Sequence, residues 1–352
     1  MSRCAASCAG KIVMNEKSAG SPVLCEIEQR FMSTAQNLYD IHVLKYDAEQ
    51  HKSLWDDFVC KAKNSHFMFY RNYMDYHSDR FTDNSLMFYD NTGLIAVLPA
   101  SLHGTELRSH GGLTYGGFIT DNNMKQHKML KCFDALKQYM HQENISTLIY
   151  KAVPHIFHRH PAEEDLYALF KCGAELLKIE PSTTVILRNP VDLPKGRKAQ
   201  ISRAKREGVS VERSEDFDAF IDLENSVLQK YHRTMAVHTA AELKLLKSRF
   251  KNEIQLWIAK SNNEMIAGTL LFICGDVVHT QYMAASDKAR KIGGLDLLIK
   301  TLLDKYSESK TYFDFGISTE DNGNFLNEGL CHQKESFGGR TVVYETWKIN
   351  QV

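Results

Sequence analysis

The sequence predicts an α/β protein with mixed sheets, built from two tandem halves that share one order of elements. Three observations support this fold class. The 352 residues exceed the usual length of a single domain. A hairpin, a third strand, a helix, a strand and a closing extended segment occur twice along the chain. Pro190 and Pro194 mark a break between the two occurrences. The alternative is that the recurrence is coincidental.

The spacing of these elements predicts three parts. Residues 1–37 show little periodicity and are expected to form a loose leader. The first half then occupies residues 38–190 and the second half residues 191–352.

Apolar periodicity assigns the elements of the first half. Period-2 alternation and turn residues mark the strands, and apolar residues at helical spacing mark the helices. We expect strands over 41–44, 85–89, 94–100, 146–153 and 175–187, helices over 55–63, 122–142 and 163–172, and a glycine-rich extended stretch over 106–118.

The second half repeats the pattern after a basic segment that begins at Lys195. Its hairpin turns at residues 261–264, and its main helix has one apolar face. We expect helices over 217–231, 240–250 and 288–306, and strands over 254–260, 265–274, 277–285, 312–315 and 341–349.

Composition excludes several classes of protein. Lys plus Arg and Asp plus Glu both count 43, so no net charge attracts DNA or an anionic membrane. No apolar run is long enough to span a membrane, and the N-terminus is a poor signal peptide. The eight cysteines are scattered, as is typical of reduced thiols in a cytoplasmic protein. We expect no metal site, because the histidines near Pro154 have no converging partners.

A candidate phosphate site follows the strand 277–285. Gly293 and Gly294 lie at the start of a helix, where backbone N–H groups and the helix dipole favour an anion. Arg290 and Lys291 precede them and would pair with phosphate oxygens. The alternative is a Gly-Gly packing contact beside a solvated basic cap.

This order of strand, Arg-x-x-Gly-Gly and helix resembles the acyl-coenzyme A-binding core of the GNAT superfamily. Leu295 departs from that pattern, which usually has a small residue there. Over residues 38–352 the chain resembles the FemAB-type branch, whose members carry two GNAT-like domains. The strongest local similarity lies in residues 312–347, with Asp-Phe-Gly at a strand end followed by a Lys and a Phe-Gly.

The resemblance implies two catalytic candidates. Lys334 lies in the matched Lys-Glu-Ser-Phe-Gly segment, and the family's lysine there is thought to assist transfer by stabilising the oxyanion or the leaving group. Asp314 ends a buried strand, where an unpaired carboxylate is costly. It is predicted to be the base, or to orient Lys334 or Arg340. The alternatives are an exposed loop lysine and an aspartate that bonds its own loop.

The stretch over residues 109–117 contains four glycines, which cost backbone entropy when they are ordered. They are expected where a ligand or another backbone approaches closely. We predict that this stretch forms the acceptor side of a cleft, with His110, Gly112 and Tyr115 as substrate-binding residues. The alternative is a bulged strand pair.

Three further residues are candidates in the second half. His232 would be a base, because its unperturbed pKa is near neutral. Arg233 would clamp a phosphate or carboxylate through two hydrogen bonds. Arg203 would grip a diphosphate or a tRNA backbone. Helix C-terminal cations and a solvated charge run are the alternatives.

The resemblance implies an acyltransferase without a permanently bound cofactor. Known members transfer amino acids from aminoacyl-tRNA to peptidoglycan precursors, or acyl groups from coenzyme A to amines. We expect an N-acyltransferase whose co-substrate is acyl-coenzyme A. The expected acceptor is an amino sugar, free, nucleotide-linked or lipid-linked, in surface-polysaccharide or cell-wall precursor synthesis. Aminoacyl-tRNA is the second donor hypothesis, and a non-catalytic ligand-binding protein with a degenerate GNAT fold is the third.

Overall fold

The computed structural model describes residues 41–232 and 234–351, so the predicted leader lies outside the described residues. The α-helices of the described residues are numbered in chain order. They are α1 Lys52–Lys61, α2 Arg71–Met74, α3 Gln126–Gln142, α4 Glu164–Lys171, α5 Lys195–Arg206, α6 Phe217–His232, α7 Ala240–Arg249, α8 Asp287–Ile292, α9 Gly294–Tyr306 and α10 Glu328–Glu335.

The strands of the described residues are numbered in the same way. They are β1 His42–Lys45, β2 Thr82–Asp83, β3 Leu86–Asp90, β4 Gly93–Leu98, β5 Ser101–His103, β6 Glu106–Arg108, β7 Ile119–Thr120, β8 Thr147–Lys151, β9 Glu175–Ile186, β10 Ser210–Ser214, β11 Ile254–Ser261, β12 Glu264–Cys274, β13 Val277–Ala285, β14 Tyr312–Ile317, β15 Thr319–Glu320, β16 Phe325–Leu326 and β17 Arg340–Asn350.

Most of these strands belong to one sheet. Among the described residues, an 11-stranded sheet has the order β10-β11-β12-β13-β14-β9-β17-β8-β6-β5-β2. Strands β13 and β14 are parallel, as are β6 and β8, and the other neighbours in this sheet are antiparallel. A smaller sheet has the order β1-β3-β4-β7. The mixed α/β class predicted from the sequence is confirmed.

The closing strand of each predicted half pairs with a strand of the other half. β9 precedes the break at Pro190, yet it pairs with β14. β17 comes from the second half, yet it pairs with β8. The two closing strands also pair with each other, from Arg340 opposite Thr184 to Lys348 opposite Glu175. The large sheet therefore runs without interruption through residues of both halves.

The predicted elements and the observed ones differ at several places: α10 and β10 were not predicted, and the stretch expected to be extended over 106–118 is a strand only over β6. Two further differences concern helices. The basic segment after Pro194 is the helix α5, which buries Ile201 and Ala204 while its charged residues other than Arg197 face outward. The single helix expected over 288–306 is two helices, because Gly293 adopts a left-handed conformation with φ of +80°. No helix of the described residues is long and apolar enough to cross a membrane.

The core follows the two faces of the sheet. Strand β14 shows the division, because successive side chains of a strand point to opposite faces. Phe313 and Phe315 pack with α9 residues such as Leu298 on one face. Asp314, between them, points to the other face and is fully buried.

Candidate active site

The parallel strands β13 and β14 part soon after they meet. They pair only from Val277 opposite Tyr312 to His279 opposite Asp314. β13 then continues to Ala285 along β12, with a bulge opposite Leu270 and Leu271. β14 continues along β9 instead. A cavity of about 310 Å³ opens here, and its lining includes residues of β13, β14, α6, α10 and β17.

Asp314 is fully buried behind the cavity wall, where it accepts hydrogen bonds from several side chains, two of which line the cavity. The Ser182 and Thr184 hydroxyls donate to Oδ1 at 2.6 and 2.7 Å. The Tyr344 hydroxyl donates to Oδ2 at 2.8 Å, and the His279 Nδ1 lies 2.7 Å from the same oxygen. The side chains meet because Thr184, Asp314 and His279 are register partners on one face of three adjacent strands.

These bonds keep the buried carboxyl ionised. Burial alone would raise the pKa of Asp314, but His279, through its hydrogen bond and charge, and the Ser182 and Thr184 hydroxyls hold that pKa below its ordinary value of 3.8. A carboxylate only accepts hydrogen bonds, so Nδ1 of His279 carries the proton that it shares with Asp314. In the neutral ring, Nε2 is then the nitrogen with a free lone pair. His279 lines the cavity and is 7% exposed.

Lys334 also lines the cavity, from the last turn of α10. Its Nζ donates to the Gly316 and Ile317 carbonyls at 3.0 and 2.5 Å. Burial disfavours the ammonium and lowers the pKa of Lys334 to about 8, although the charge of Asp314 opposes this shift. Of the predicted pair, Lys334 therefore lines the cavity, and Asp314 lies behind it, bonded to the lining residue His279. The direct partner of Asp314 is His279 rather than Lys334 or Arg340.

Glu224 reaches the same cavity from α6. Its side chain is buried, and Oε2 has no hydrogen-bond partner among the described residues. Burial raises the pKa of Glu224 to about 7. Within the described part of the chain, Glu224 is thus the carboxylate that lines the cavity without a hydrogen-bond partner on Oε2, whereas Asp314 behind the wall is fully bonded.

The glycine-rich stretch 109–117 contacts aromatic rings of both halves. The ring of His110 stacks on His77 at a centroid distance of 5.4 Å, and burial together with His77 holds its pKa well below 6.5. A Cβ at Gly112 would lie 2.3 Å from His77 Nε2. Tyr115 packs against Tyr344 at 5.6 Å, behind the cavity. Thr114 is the residue of this stretch that lines the cavity itself.

The predicted phosphate site is closed around its glycines. A Cβ at Gly293 would lie 2.3 Å from the carbonyl oxygen of Gln200 in α5, and one at Gly294 would lie 2.9 Å from Ile266 Cδ1. Both glycines are buried, a geometry that fits the packing alternative. Arg290 and Lys291 are exposed on α8. The guanidinium of Arg290 lies 4.5 Å from the centre of the Tyr231 ring. A role for these four residues in donor binding stays a prediction.

The remaining predicted residues either do not line the cavity or have side chains that the structure does not describe. Arg203 is exposed on α5. His232 ends α6, but its side chain is not among those described, and Arg233 lies outside the described residues altogether. Their predicted roles remain predictions.

Known proteins share both the domain and the fold. Residues 195–322 match the family model described as an acetyltransferase (GNAT) domain. A crystal structure of FemX superposes with a TM-score of 0.62 at 12% identity, covering 86% of this chain and 96% of that one. L-PGS from Bacillus licheniformis gives 0.58 at 16% identity, covering 87% and 93%. A tandem GNAT protein from the clavulanic acid biosynthesis pathway gives 0.50 at 10% identity, covering 89% and 99%.

Residues 195–322 are a GNAT acetyltransferase domain, and the chain shares the fold of FemX and of a tandem GNAT protein. No curated protein matches it in sequence at a significant level. The matched GNAT domain includes β13, β14 and α6, and therefore His279, Asp314 and Glu224 of the cavity.

Two polar residues that line the cavity, Glu224 and His279, were not predicted from the sequence. Glu224 follows Phe217 and Phe220 at helical spacing, so it is a charged residue on the buried face of α6. That conflict was a detectable signal. His279 follows Val277 by two residues and shares its face, but only the pairing with Asp314 gives it a role.

Proposed function

We propose that this protein transfers an acyl group from acyl-coenzyme A to the nitrogen of an amine, in the cavity between β13 and β14. The observation that carries the proposal is the Asp314–His279 pair, with Nδ1 bonded to the carboxylate and the ring lining the cavity. A carboxylate that fixes a histidine tautomer is a common arrangement for a general base.

In this reaction His279 Nε2 takes the proton that the attacking amine must lose. The amine nitrogen forms a bond with the thioester carbonyl carbon, and the carbon–sulfur bond breaks without a covalent enzyme intermediate. The products are an amide and the free thiol, and an acceptor that starts as an ammonium releases one further proton. Holding both reactants in one cavity contributes to the rate through proximity.

Lys334 acts on the leaving group or the oxyanion. Its pKa of about 8 is close to that of a thiol, so its ammonium is matched to the protonation of a departing thiolate. Its bonds to the Gly316 and Ile317 carbonyls leave one of its three N–H groups for the substrate.

The donor's phosphates lie outside the cavity in this proposal. Arg290 and Lys291 offer exposed cations at the end of the same strand, β13. Their side chains carry this role, because the Gly293 and Gly294 backbone is covered by α5 and Ile266. The acceptor is an amino sugar of surface-polysaccharide or cell-wall precursor synthesis, taken from the side of Thr114.

Aminoacyl-tRNA is the rival donor, and one observation favours it. The exposed residues of α5 form a basic face, made of Lys195, Lys198, Arg203, Lys205 and Arg206. Such a face suits a phosphate backbone and would give strongly salt-dependent binding. Titration of the protein with tRNA at several salt concentrations tests this donor.

Isothermal titration with acetyl-coenzyme A tests the main proposal first. We expect binding, followed by thiol release when glucosamine or another amine is added. His279→Asn should lower kcat by about 10²- to 10⁴-fold, the usual contribution of a general base. The control is Asp222→Asn, which removes an exposed carboxylate from α6. No binding at millimolar acetyl-coenzyme A, or full activity of His279→Asn, would refute the proposal.

A further inference from the structure

Glu224 is a buried acidic residue that no role described so far explains. The residue is 6% exposed, and Oε2 is enclosed without a hydrogen-bond partner among the described residues. The side chain lines the cavity between β13 and β14, on the face of α6 that packs against β13. Its position is therefore part of the cavity wall rather than of the apolar core alone.

Leaving a carboxylate in this state is costly. A buried charge without a partner loses its hydration and gains nothing in return. Burial correspondingly raises the pKa of Glu224 to about 7. Glutamine or leucine would fill the same position without that cost, so the folded protein alone gives no reason for a carboxylate here.

The other titratable residues in the cavity lining do not supply the missing partner. Lys334 donates to two backbone carbonyls, and His279 and Tyr344 are bonded to Asp314. The Tyr282 hydroxyl lies 2.7 Å from Nδ1 of His238. Apolar side chains, among them Phe315 and Leu330, line the same cavity.

A ligand in the cavity can supply a partner, and the chemistry of the site defines which group it presents. A hydroxyl or amide would satisfy one lone pair but would leave the negative charge buried. An ammonium group both donates hydrogen bonds and neutralises the charge. Charge-assisted bonds of this kind are also the stronger ones.

We infer that Glu224 binds an ammonium group of the substrate, so that the protein selects a cationic substrate over its neutral analogue. This inference rests on the proposed function, because it takes the cavity as the site of acyl transfer. The ammonium has two possible sources, the acceptor amine itself or an α-amino group on the acyl moiety of the donor. Both present the same group to Glu224.

Paired ligands that differ only in the charged group test the inference. Isothermal titration compares glucosamine with glucose and ethanolamine with ethylene glycol for the acceptor. It compares alanyl-coenzyme A with propionyl-coenzyme A for the acyl moiety. The wild-type protein should prefer the ammonium member of one set by about 10- to 100-fold, the worth of a hydrogen bond to a charged group. The set that shows the preference identifies the source.

Variants assign that preference to Glu224. Glu224→Gln keeps the shape and removes the charge, so it should bind both members of each pair about equally. Glu224→Asp keeps the charge on a shorter side chain and should retain a weaker preference. Asp222→Asn makes the same change of charge on the exposed face of α6 and should behave as wild type.

Thermal unfolding of the free proteins separates binding from structure. Because Glu224 lacks a partner, Glu224→Gln should melt at the wild-type temperature or above it at pH 8. A clear drop would reveal a structural partner and overturn the inference. So would equal binding within every pair by the wild type, or a preference that survives in Glu224→Gln. A protein that binds glucosamine through Glu224 yet transfers no acyl group would retain this inference and refute the proposed function.

Discussion

The large sheet contains two parallel strand pairs that separate in the same way, but the space beside each pair is filled differently. In the second half, β13 and β14 pair over three positions, Val277–His279 with Tyr312–Asp314. In the first half, β6 and β8 also pair in parallel over three positions, Glu106–Arg108 with Thr147–Ile149. Each strand pair leads into a gap. The gap of the second half is a cavity, whereas that of the first half is filled by the glycine-rich stretch 109–117.

The filling of the first gap is made of backbone hydrogen bonds. Ser109 N–H donates to the Ile149 carbonyl, and Gly116 N–H donates to the Lys151 carbonyl, both at 2.9 Å. The Lys151 Nζ donates to the His110 and Leu113 carbonyls. The stretch thus completes the edge that β6 leaves open.

Each half also has one lysine and one aspartate whose contacts resemble those of the other half. Lys151 and Lys334 each donate to two backbone carbonyls, and burial lowers the pKa of each to about 8. Asp165 and Asp314 each accept a hydrogen bond from a buried tyrosine. The difference is the surrounding space, because Lys334 lines a cavity, whereas the Nζ of Lys151 is bonded to the stretch 109–117 that fills the first gap. A lysine and an aspartate in such a gap therefore do not define a site unless the gap is open.

Separating the predicted halves is the most drastic way to break the comparison. A fragment of residues 38–190 would leave β9 without β14 and β17, and β8 without β17. We expect it to be unfolded or aggregated alone, and to become soluble when residues 191–352 are co-expressed. Circular dichroism and urea unfolding measure this. A cooperative transition of the isolated fragment would contradict the interdependence of the halves.

The two buried aspartates sharpen the comparison by activity. Asp314→Asn should lower kcat for thiol release by about 10²- to 10⁴-fold, because His279 loses the carboxylate that fixes its tautomer. Asp165→Asn changes the other buried aspartate that accepts a hydrogen bond from a buried tyrosine, and it should leave kcat unchanged. Equal losses in both variants would show that the effect is structural and would remove Asp314 from the mechanism.

The two lysines test the same point through pH. If the ammonium of Lys334 protonates the leaving thiolate, kcat should fall as the pH rises through about 8, where Lys334 loses its proton. Lys334→Gln should remove that limb and lower kcat at pH 7 by about 10²-fold. Lys151→Gln should leave the pH profile unchanged. A wild-type kcat that rises through pH 8 would assign Lys334 the role of a base instead.

A glycine of the filled gap gives the smallest expected effect. A Cβ at Gly116 would lie 2.5 Å from the Ser109 carbonyl oxygen. Gly116→Ala should therefore lower the free energy of unfolding by about 1–3 kcal/mol, as overpacking usually does. Gly196→Ala in α5, where nothing lies within 4 Å, should be neutral or stabilise by up to about 1 kcal/mol. Urea unfolding measures the free energy of unfolding of both variants. Equal values would mean that the stretch 109–117 can shift to accommodate the added methyl group.

The sequence predicted the local elements better than their partners. The hairpin of β11 and β12 followed from alternation around a turn of Asn residues. Lys334 and Asp314 came from the family resemblance, and the structure places Lys334 in the cavity lining and Asp314 behind it. The exchange of β9 and β17 was not predictable, since a strand's pattern specifies which face is buried and not which distant strand lies beside it.

Two kinds of glycine could not be separated by spacing. Gly293 and Gly294 have the sequence of a phosphate-binding turn, but their space is taken by Gln200 and Ile266. Gly112 is required by the ring of His77. In each case a distant residue decides what approaches the backbone, and local sequence does not contain that information.

The position of β17 between β8 and β9 has a consequence for synthesis on the ribosome. Residues 187–339 must be translated after β9 and before the strand that joins β9 to β8. The first half therefore emerges with an unfilled slot in its sheet, and nascent strands with unpaired edges are prone to aggregation. We expect this topology to affect the dependence on chaperones during translation more than the stability of the finished protein.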